Sequence, residues 1–297
     1  MHTKVSLKKR KDREGFLYIV PWLVGVVCFQ IGPILISLVL SFTKYSLFAP
    51  PTFIGIRNYV DMFRDELFSQ STKVTMKYVL LSVPCKILFA LAVALIMNQK
   101  IKAVNFYRTI YYIPSIFGSS IAVSILWKRL FVKDGVVNIL LARMGIEGPS
   151  WLGNPVWVVP ILALMSVWQF GSSMVIFLAG LKQIPVSLYE SASVDGAGKI
   201  RQFFAITLPG IMPLMTYNLM MQTINAFQVF ATPYTIYDGT GGPLNAGLVY
   251  VSYLYRNGFQ YFNIGYSSAL SWMLLVMISV TALLIHFVDK SVNSLEG

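Results

Sequence analysis

Asn218, Gln222 and Asn225 are the side chains best equipped for chemistry within the apolar stretches of this sequence. They stand at i, i+4 and i+7, which a helix gathers within about 60° on one face. Gln228 follows further round, and in an earlier apolar run Gln169, Ser172 and Ser173 share a face. Amides and hydroxyls donate and accept hydrogen bonds without net charge, so they suit the hydroxyls of a sugar. They also suit bonds between neighbouring helices, and the residues alone leave both roles open. Lys86 is the ionisable group set well inside an apolar run. Its long stem either snorkels to an interface or carries the ammonium to a polar or anionic solute.

Groups for covalent chemistry are absent from these positions. His2 precedes the first apolar run and His286 lies near the end of the last, neither with a carboxylate or cysteine at catalytic spacing. Cys28 and Cys85 sit inside apolar runs, so neither a disulfide framework nor a metal site follows. No catalytic residue and no metal ligand is expected, and an intramembrane enzyme would need one or the other. All twelve acids, from Asp12 to Glu296, fall outside the apolar runs. A proton-coupled secondary transporter commonly needs a titratable carboxylate within the membrane, so that reading becomes a distant one.

The elements that carry these residues are long. The chain has 297 residues, 56% hydrophobic and 12% charged, against roughly a quarter charged in soluble proteins. A bilayer core needs about 20 helical residues, and six runs qualify: 16–42, 75–97, 106–130, 155–179, 207–231 and 265–288. Each is continuously apolar rather than alternating, which favours helices over barrel strands. The expected class is an all-α polytopic membrane protein with six transmembrane helices. The first run exceeds a signal-peptide core and reads as a retained span.

Charge sets the orientation. Of 24 Lys and Arg, six precede Gly15, at Lys4, Lys8, Lys9, Arg10, Lys11 and Arg13. Lys100 and Lys102 follow the second run, Lys182, Lys199 and Arg201 lie between the fourth and fifth, and Lys290 follows the sixth. The positive-inside bias puts both termini and these two loops in the cytoplasm of a cell with a plasma membrane. The net charge of +12 does not point to nucleic acid, because no aromatic residues interleave the basic run. Among the opposing loops, 53–68 has apolar residues near helical spacing and reads as a short interfacial helix. Residues 236–262, with Gly-Thr-Gly-Gly-Pro at 239–243, read as an irregular hairpin-like excursion.

Between the fourth and fifth runs stands LYESASVDGAGKIRQFFAITLPGIMP, residues 188–213. It is polar, helix-prone and ends in Leu208-Pro209 where hydrophobicity resumes. Two short helices, 185–192 and 202–206, are expected on either side of a bend at Gly196 and Gly198. The pattern Glu190-x-Ala192-x-x-Asp195-Gly196-Ala197, then Ile206-x-Leu208-Pro209, resembles the EAA loop of ABC importer permeases. That resemblance implies a coupling helix seated in a cleft of a separate ATPase. By position, Glu190 is the motif acid, Ala192 packs close to the partner, Asp195 precedes the bend and Gly196 forms it. Ala197, Gly198, Leu208 and Pro209 complete the coupling set, and Ser191 departs from the usual Ala. The run Gly196-Ala197-Gly198-Lys199 is not a phosphate loop, since that pattern needs Gly at Ser193 and Ser or Thr at Ile200.

A second resemblance narrows the branch. Thr240-Gly-Gly-Pro-Leu-Asn245, Leu254-Tyr255-Arg256, Phe259 and the run from Gly265 to Leu270 are similar to permeases that import sugars and glycerol phosphate. So are residues 53–59, the patch 127–131 with Gly135 and Asn138, and Trp151-Leu152. The resemblance implies a type I ABC importer permease fold. It divides the chain into a basic cytoplasmic tail (1–15), a first span with its external loop (16–72), an ABC transmembrane core (73–290) holding the coupling loop 181–206, and a cytoplasmic tail (291–297). It also implies a carbohydrate as cargo, with glycerol phosphate or another polar solute as the alternative. The implied partners are a second, homologous permease, two ATPase subunits that bind ATP and Mg, and an extracellular substrate-binding protein. The chain itself is expected to bind no cofactor.

Overall fold

Apolar runs become helices here because lipid offers the backbone no hydrogen-bond partners. A computed structural model describes residues 18–99, 104–118 and 120–295. The basic cluster at 4–13, Lys100 and Lys102 lie outside the described residues. Among the described residues, four helices are long and apolar enough to cross a membrane: Tyr18–Ser41, Glu66–Met97, Lys199–Ile236 and Ile264–Lys290. Two bent pairs, Phe106–Phe117 with Ile121–Arg143 and Pro155–Val167 with Gly171–Leu181, bring the number to six if each pair is one span. The runs expected to be continuous at 106–130 and 155–179 are therefore broken, the second by 49°.

The chain forms two compact units. One holds the residues up to Arg64 together with Asn257–Met273, and the other holds Asp65–Arg256 and the chain from Leu274 onward. In the first, helix α1 (Tyr18–Ser41) buries none of its most apolar window. It is followed by a small antiparallel hairpin, β1 (Thr43–Ser46) and β2 (Ala49–Phe53), with Thr43 opposite Phe53 and a bulge between Lys44 and Ser46. Helix α2 (Arg57–Arg64) pins this hairpin. The buried Asn58 amide donates to the carbonyls of Ser41 (2.8 Å) and Thr43 (2.9 Å), and the Tyr59 hydroxyl donates to Ser41 Oγ. The single helix expected over 53–68 is thus divided, because Phe53 belongs to a strand and Asp65 caps the next helix.

The second unit is organised by α3 (Glu66–Met97). Its first turn is closed by the Asp65 carboxylate, which accepts from Leu67 N at 2.8 Å and Phe68 N at 3.3 Å. There follow α4 (Val104–Phe117), α5 (Ile121–Phe131), α6 (Val136–Arg143), α7 (Pro155–Val167), α8 (Gly171–Leu181), α9 (Val186–Val194), α10 (Lys199–Gln202), α11 (Leu208–Phe227), α12 (Ala231–Ile236) and α13 (Tyr250–Tyr255). Helix α3 packs against α7, α8, α11 and α13. Ala90 and Ala94 are fully buried on it, small enough for the neighbouring backbones to approach closely, in a core with Ile161, Met165, Phe177 and Ile211. Gly171 does the same between α4 and α8, where a Cβ would lie 2.2 Å from the Tyr111 carbonyl oxygen.

The last helix, α14 (Ile264–Leu295), outruns its expected end at 288. It carries Asp289, whose carboxylate accepts from the Thr216 hydroxyl at 2.5 Å. Residues 236–262 contain no strand, contrary to the hairpin-like expectation, but short helical turns at Pro243–Asn245, α13 and Arg256–Gln260. Gly239, Gly241 and Gly242 all take positive φ, and the Tyr237 ring packs against Gly242 and Gly247. That leaves no extended stretch free to pair. Burial, followed by the proximity of Tyr253, pushes the Tyr250 phenol above its ordinary range.

Candidate coupling elbow and solute cavity

The elbow begins with α9, which stops at a left-handed residue. Gly196 has φ +77°, the N–H of Ala197 bonds to the Ala192 carbonyl at 2.8 Å, and the N–H of Gly196 bonds to Ser193 at 3.1 Å. This paired closure is the Schellman helix ending, and it explains the motif in physical terms. Asp195 is the C-cap, Gly196 takes the angle that a Cβ resists, and Ala192 and Ala197 meet across the turn. Gly198 does not share this role, since its φ is −68° and it caps α10 in an extended conformation. The expected second helix at 202–206 is instead a start for the next span. Helix α10 passes through a π turn at Phe203–Thr207 into α11, with Pro209 in the first turn where a missing N–H is tolerated.

A side-chain network locks the two arms. Gln202 is buried, and its Nε2 donates to Ser193 Oγ at 2.9 Å and to the Ala197 carbonyl at 3.0 Å. Ser193 Oγ in turn donates to the Tyr189 carbonyl at 2.7 Å, and the Tyr189 hydroxyl shares a hydrogen bond with Thr207 Oγ1 at 2.9 Å. Apolar side chains stand exposed among charges along the elbow. Val194 is 88% exposed and Ile200 77%, with Val186, Leu188 and Phe204 also exposed, as are Glu190, Asp195, Lys199 and Arg201. Exposed apolar side chains set among polar ones are a feature of interaction surfaces.

The second site is a cavity of about 500 Å³ among α3, α4, α7, α8 and α11, within the usual range of ligand pockets. It lies against the break between α7 and α8. There the Ser115 hydroxyl of α4 donates to the Gln169 carbonyl at 3.1 Å and accepts from the Ser172 N–H at 3.0 Å. One hydroxyl thus serves two of the backbone groups freed by the broken helix, as irregular backbone at membrane depth requires. Gly118 leaves room for the Gln169 side chain, which would lie 2.2 Å from a Cβ there.

Of the residues singled out by sequence, Gln169, Ser172, Gln222, Asn225 and Gln228 line this cavity. Ser173 and Asn218 do not. Ser173 is fully buried and accepts from Gln222 Nε2 at 3.0 Å, and Asn218 is buried and bonds the Leu214 carbonyl of its own helix at 3.0 Å. Lys86 also faces the cavity, and it has no ion-pair or hydrogen-bond partner among the described residues.

Residues 75–295 match the family described as the binding-protein-dependent transport system inner membrane component. The chain belongs to that family. This permease is 48% identical over 285 residues to the probable ABC transporter permease protein YesP of Bacillus subtilis, covering 95% of this chain and 92% of the relative. It is 32% identical over 288 residues to the lactose transport system permease protein LacF of Rhizobium radiobacter, covering 95% and 96%. Its fold superposes with TM-score 0.80 and 27% identity on a bacterial ABC transporter that imports the acidic polysaccharide alginate, covering 96% of this chain and 99% of that one. The permease residues that sequence reasoning missed are Ser115, Ser193, Gln202 and Thr207. Each has a side-chain hydrogen-bond partner beyond its own helical segment, so no local spacing marks it.

Proposed function

We propose that this permease forms part of the translocation path of an ATP-driven carbohydrate importer and takes its mechanical input at the elbow of residues 186–207. The observation that carries the reading is the cavity, whose hydroxyls and amides are grouped at a helix break inside an otherwise apolar bundle. Neutral donors and acceptors match sugar hydroxyls, and broken helices at mid-depth are where transporters build solute sites. The relatives named for lactose and alginate transport support the same cargo class.

In this reading a second permease completes the path, and two ATPase subunits bind ATP and Mg and engage Glu190, Ala192, Asp195, Gly196, Ala197, Gly198, Leu208 and Pro209. An extracellular binding protein delivers the solute, as the family description supports. Closure of the ATPases moves both elbows together, and the cavity changes the side it faces. Both termini and the elbow lie in the cytoplasm, supported by the basic residues Lys182, Lys199, Arg201 and Lys290.

Uptake by the intact complex, measured with a panel of labelled oligosaccharides, tests the cargo, and transport of none of them would sink the carbohydrate reading. Single cysteines test the orientation. In intact cells a cysteine placed at Asn98 resists a membrane-impermeant thiol reagent and one at Thr240 reacts. The reverse pattern would detach the elbow from any cytoplasmic ATPase.

A further inference from the structure

We propose that Lys86 reads a carboxylate on the solute, so that the cargo is an acidic oligosaccharide containing a uronic acid. This rests on the carbohydrate reading above and deepens it. Among the described residues that line the cavity, Lys86 alone carries a charge, and the other polar groups are hydroxyls and amides. A cation at membrane depth calls for a counter-charge, a wet cavity or a route to the interface. The route is long. Lys86 stands eleven residues from either end of the apolar run 75–97, or about 16 Å each way along a helix rising 1.5 Å per residue. No acid among the described residues lines the cavity, so this wall supplies no counter-charge.

The same wall carries a second source of positive potential. Helix α8 starts at Gly171, and Ser172 of its first turn lines the cavity, so the positive end of the helix dipole lies beside the solute's space. In walls of low dielectric such charge concentrates anions and discriminates against neutral solutes, which would leave the ammonium without a partner. A carboxylate fits better than a phosphate. One ammonium balances one negative charge, no arginine or second lysine lines the cavity, and a phosphate monoester carries about −1.5 to −2. The surrounding amides then serve the sugar hydroxyls, with Asn225 and Gln228 both exposed to the space.

The test uses the complete importer, with its partner permease, ATPases and binding protein, reconstituted in liposomes. The probes are a trisaccharide carrying one hexuronate residue, the same trisaccharide with its carboxyl methyl-esterified, and glycerol phosphate. The expected result is uptake of the free acid at least tenfold faster than of the ester. Lys86→Gln lowers uptake of the acid at least tenfold, Lys86→Arg restores it to within about threefold of wild type, and Cys85→Ser leaves it unchanged, since Cys85 is exposed on α3 and does not line the cavity. Equal uptake of acid and ester, or of acid by wild type and Lys86→Gln, overturns the proposal and leaves the carbohydrate reading standing. Lys86-dependent uptake of glycerol phosphate without uptake of the trisaccharide overturns both. Low complex yield in both Lys86→Gln and Lys86→Met would assign the ammonium to an acid of the partner subunit, and it too overturns the proposal.

Discussion

At the elbow Gln202 commits both amide protons, to Ser193 and to Ala197, whereas in the cavity Asn225 has no hydrogen-bond partner among the described residues. The two regions handle the same kind of side chain in opposite ways. A satisfied, buried network holds one geometry and passes force through it. An amide left open at a cavity wall holds capacity for a ligand. The apolar side chains divide in the reverse sense. They are exposed at the elbow, at Val194 and Ile200, and packed behind the cavity, at Leu162 and Met165. In the proposed reading, one region is gripped from outside and the other lets something pass.

The sharpest break in that comparison comes at Gly196. A Cβ there meets nothing within 4 Å, so crowding plays no part and the penalty comes from the left-handed backbone alone. That penalty is about 1–2 kcal/mol for an ordinary residue, and a β-branched one fares worse. Gly196→Val is expected to leave the permease inserted in the membrane and to cut uptake below a tenth. Gly198→Ala, at φ −68° with open space around it in this chain, keeps the elbow's backbone and is expected to lose less uptake than Gly196→Val. ATPase pull-down and uptake on the two variants decide the matter, and equal behaviour would reduce the elbow to a passive connector.

A smaller effect is expected from Gln202→Ala. Removing the amide deletes two hydrogen bonds in a buried position, for a local loss of about 1–3 kcal/mol. The helices themselves remain, so assembly stays normal while the arms of the elbow move independently. Hydrogen exchange across residues 193–202 should quicken, and the solute carried per ATP should fall several-fold. Unchanged exchange would show that the network does not set the rigidity of the elbow.

The elbow and the cavity were legible in the sequence to different depths. Gly196 could be read because a helix ending in a left-handed turn demands glycine. Gln202 could not, because a polar residue between Arg201 and Phe203 looks like solvated surface until the turn folds Ser193 and Ala197 around it. The six apolar runs gave the span positions, but hydropathy reports length and not hydrogen-bond register, so the breaks near 118–120 and 168–170 stayed hidden. Gly118, the helix-capping Ser120 and Gly171 were local signs. The hairpin at 43–53 was masked by Pro50 and Pro51, which argue against a strand except at an edge. The i, i+4, i+7 spacing placed Asn218, Gln222 and Asn225 on one face but not what that face meets. About 60° of arc is wide enough to be shared between a cavity and a packed neighbour.

That division gives the smallest and most discriminating prediction. Gln222 lines the cavity but gives its Nε2 to Ser173, a fully buried hydroxyl on α8. Asn225 lines the same cavity one turn on, exposed to it. Gln222→Ala removes a bond between two helices, worth of order 1 kcal/mol in a membrane bundle, and the loss should appear as a reduced yield of complex. Asn225→Ala removes a bond available only to a solute. That is again about 1 kcal/mol, a several-fold change in binding, and it should appear as slower uptake at normal yield. Measuring yield and uptake for both variants separates packing from path within one helical face. If the two behave alike, with both losing yield or both losing only uptake, then the contrast between a structural amide and a free one fails at this helix.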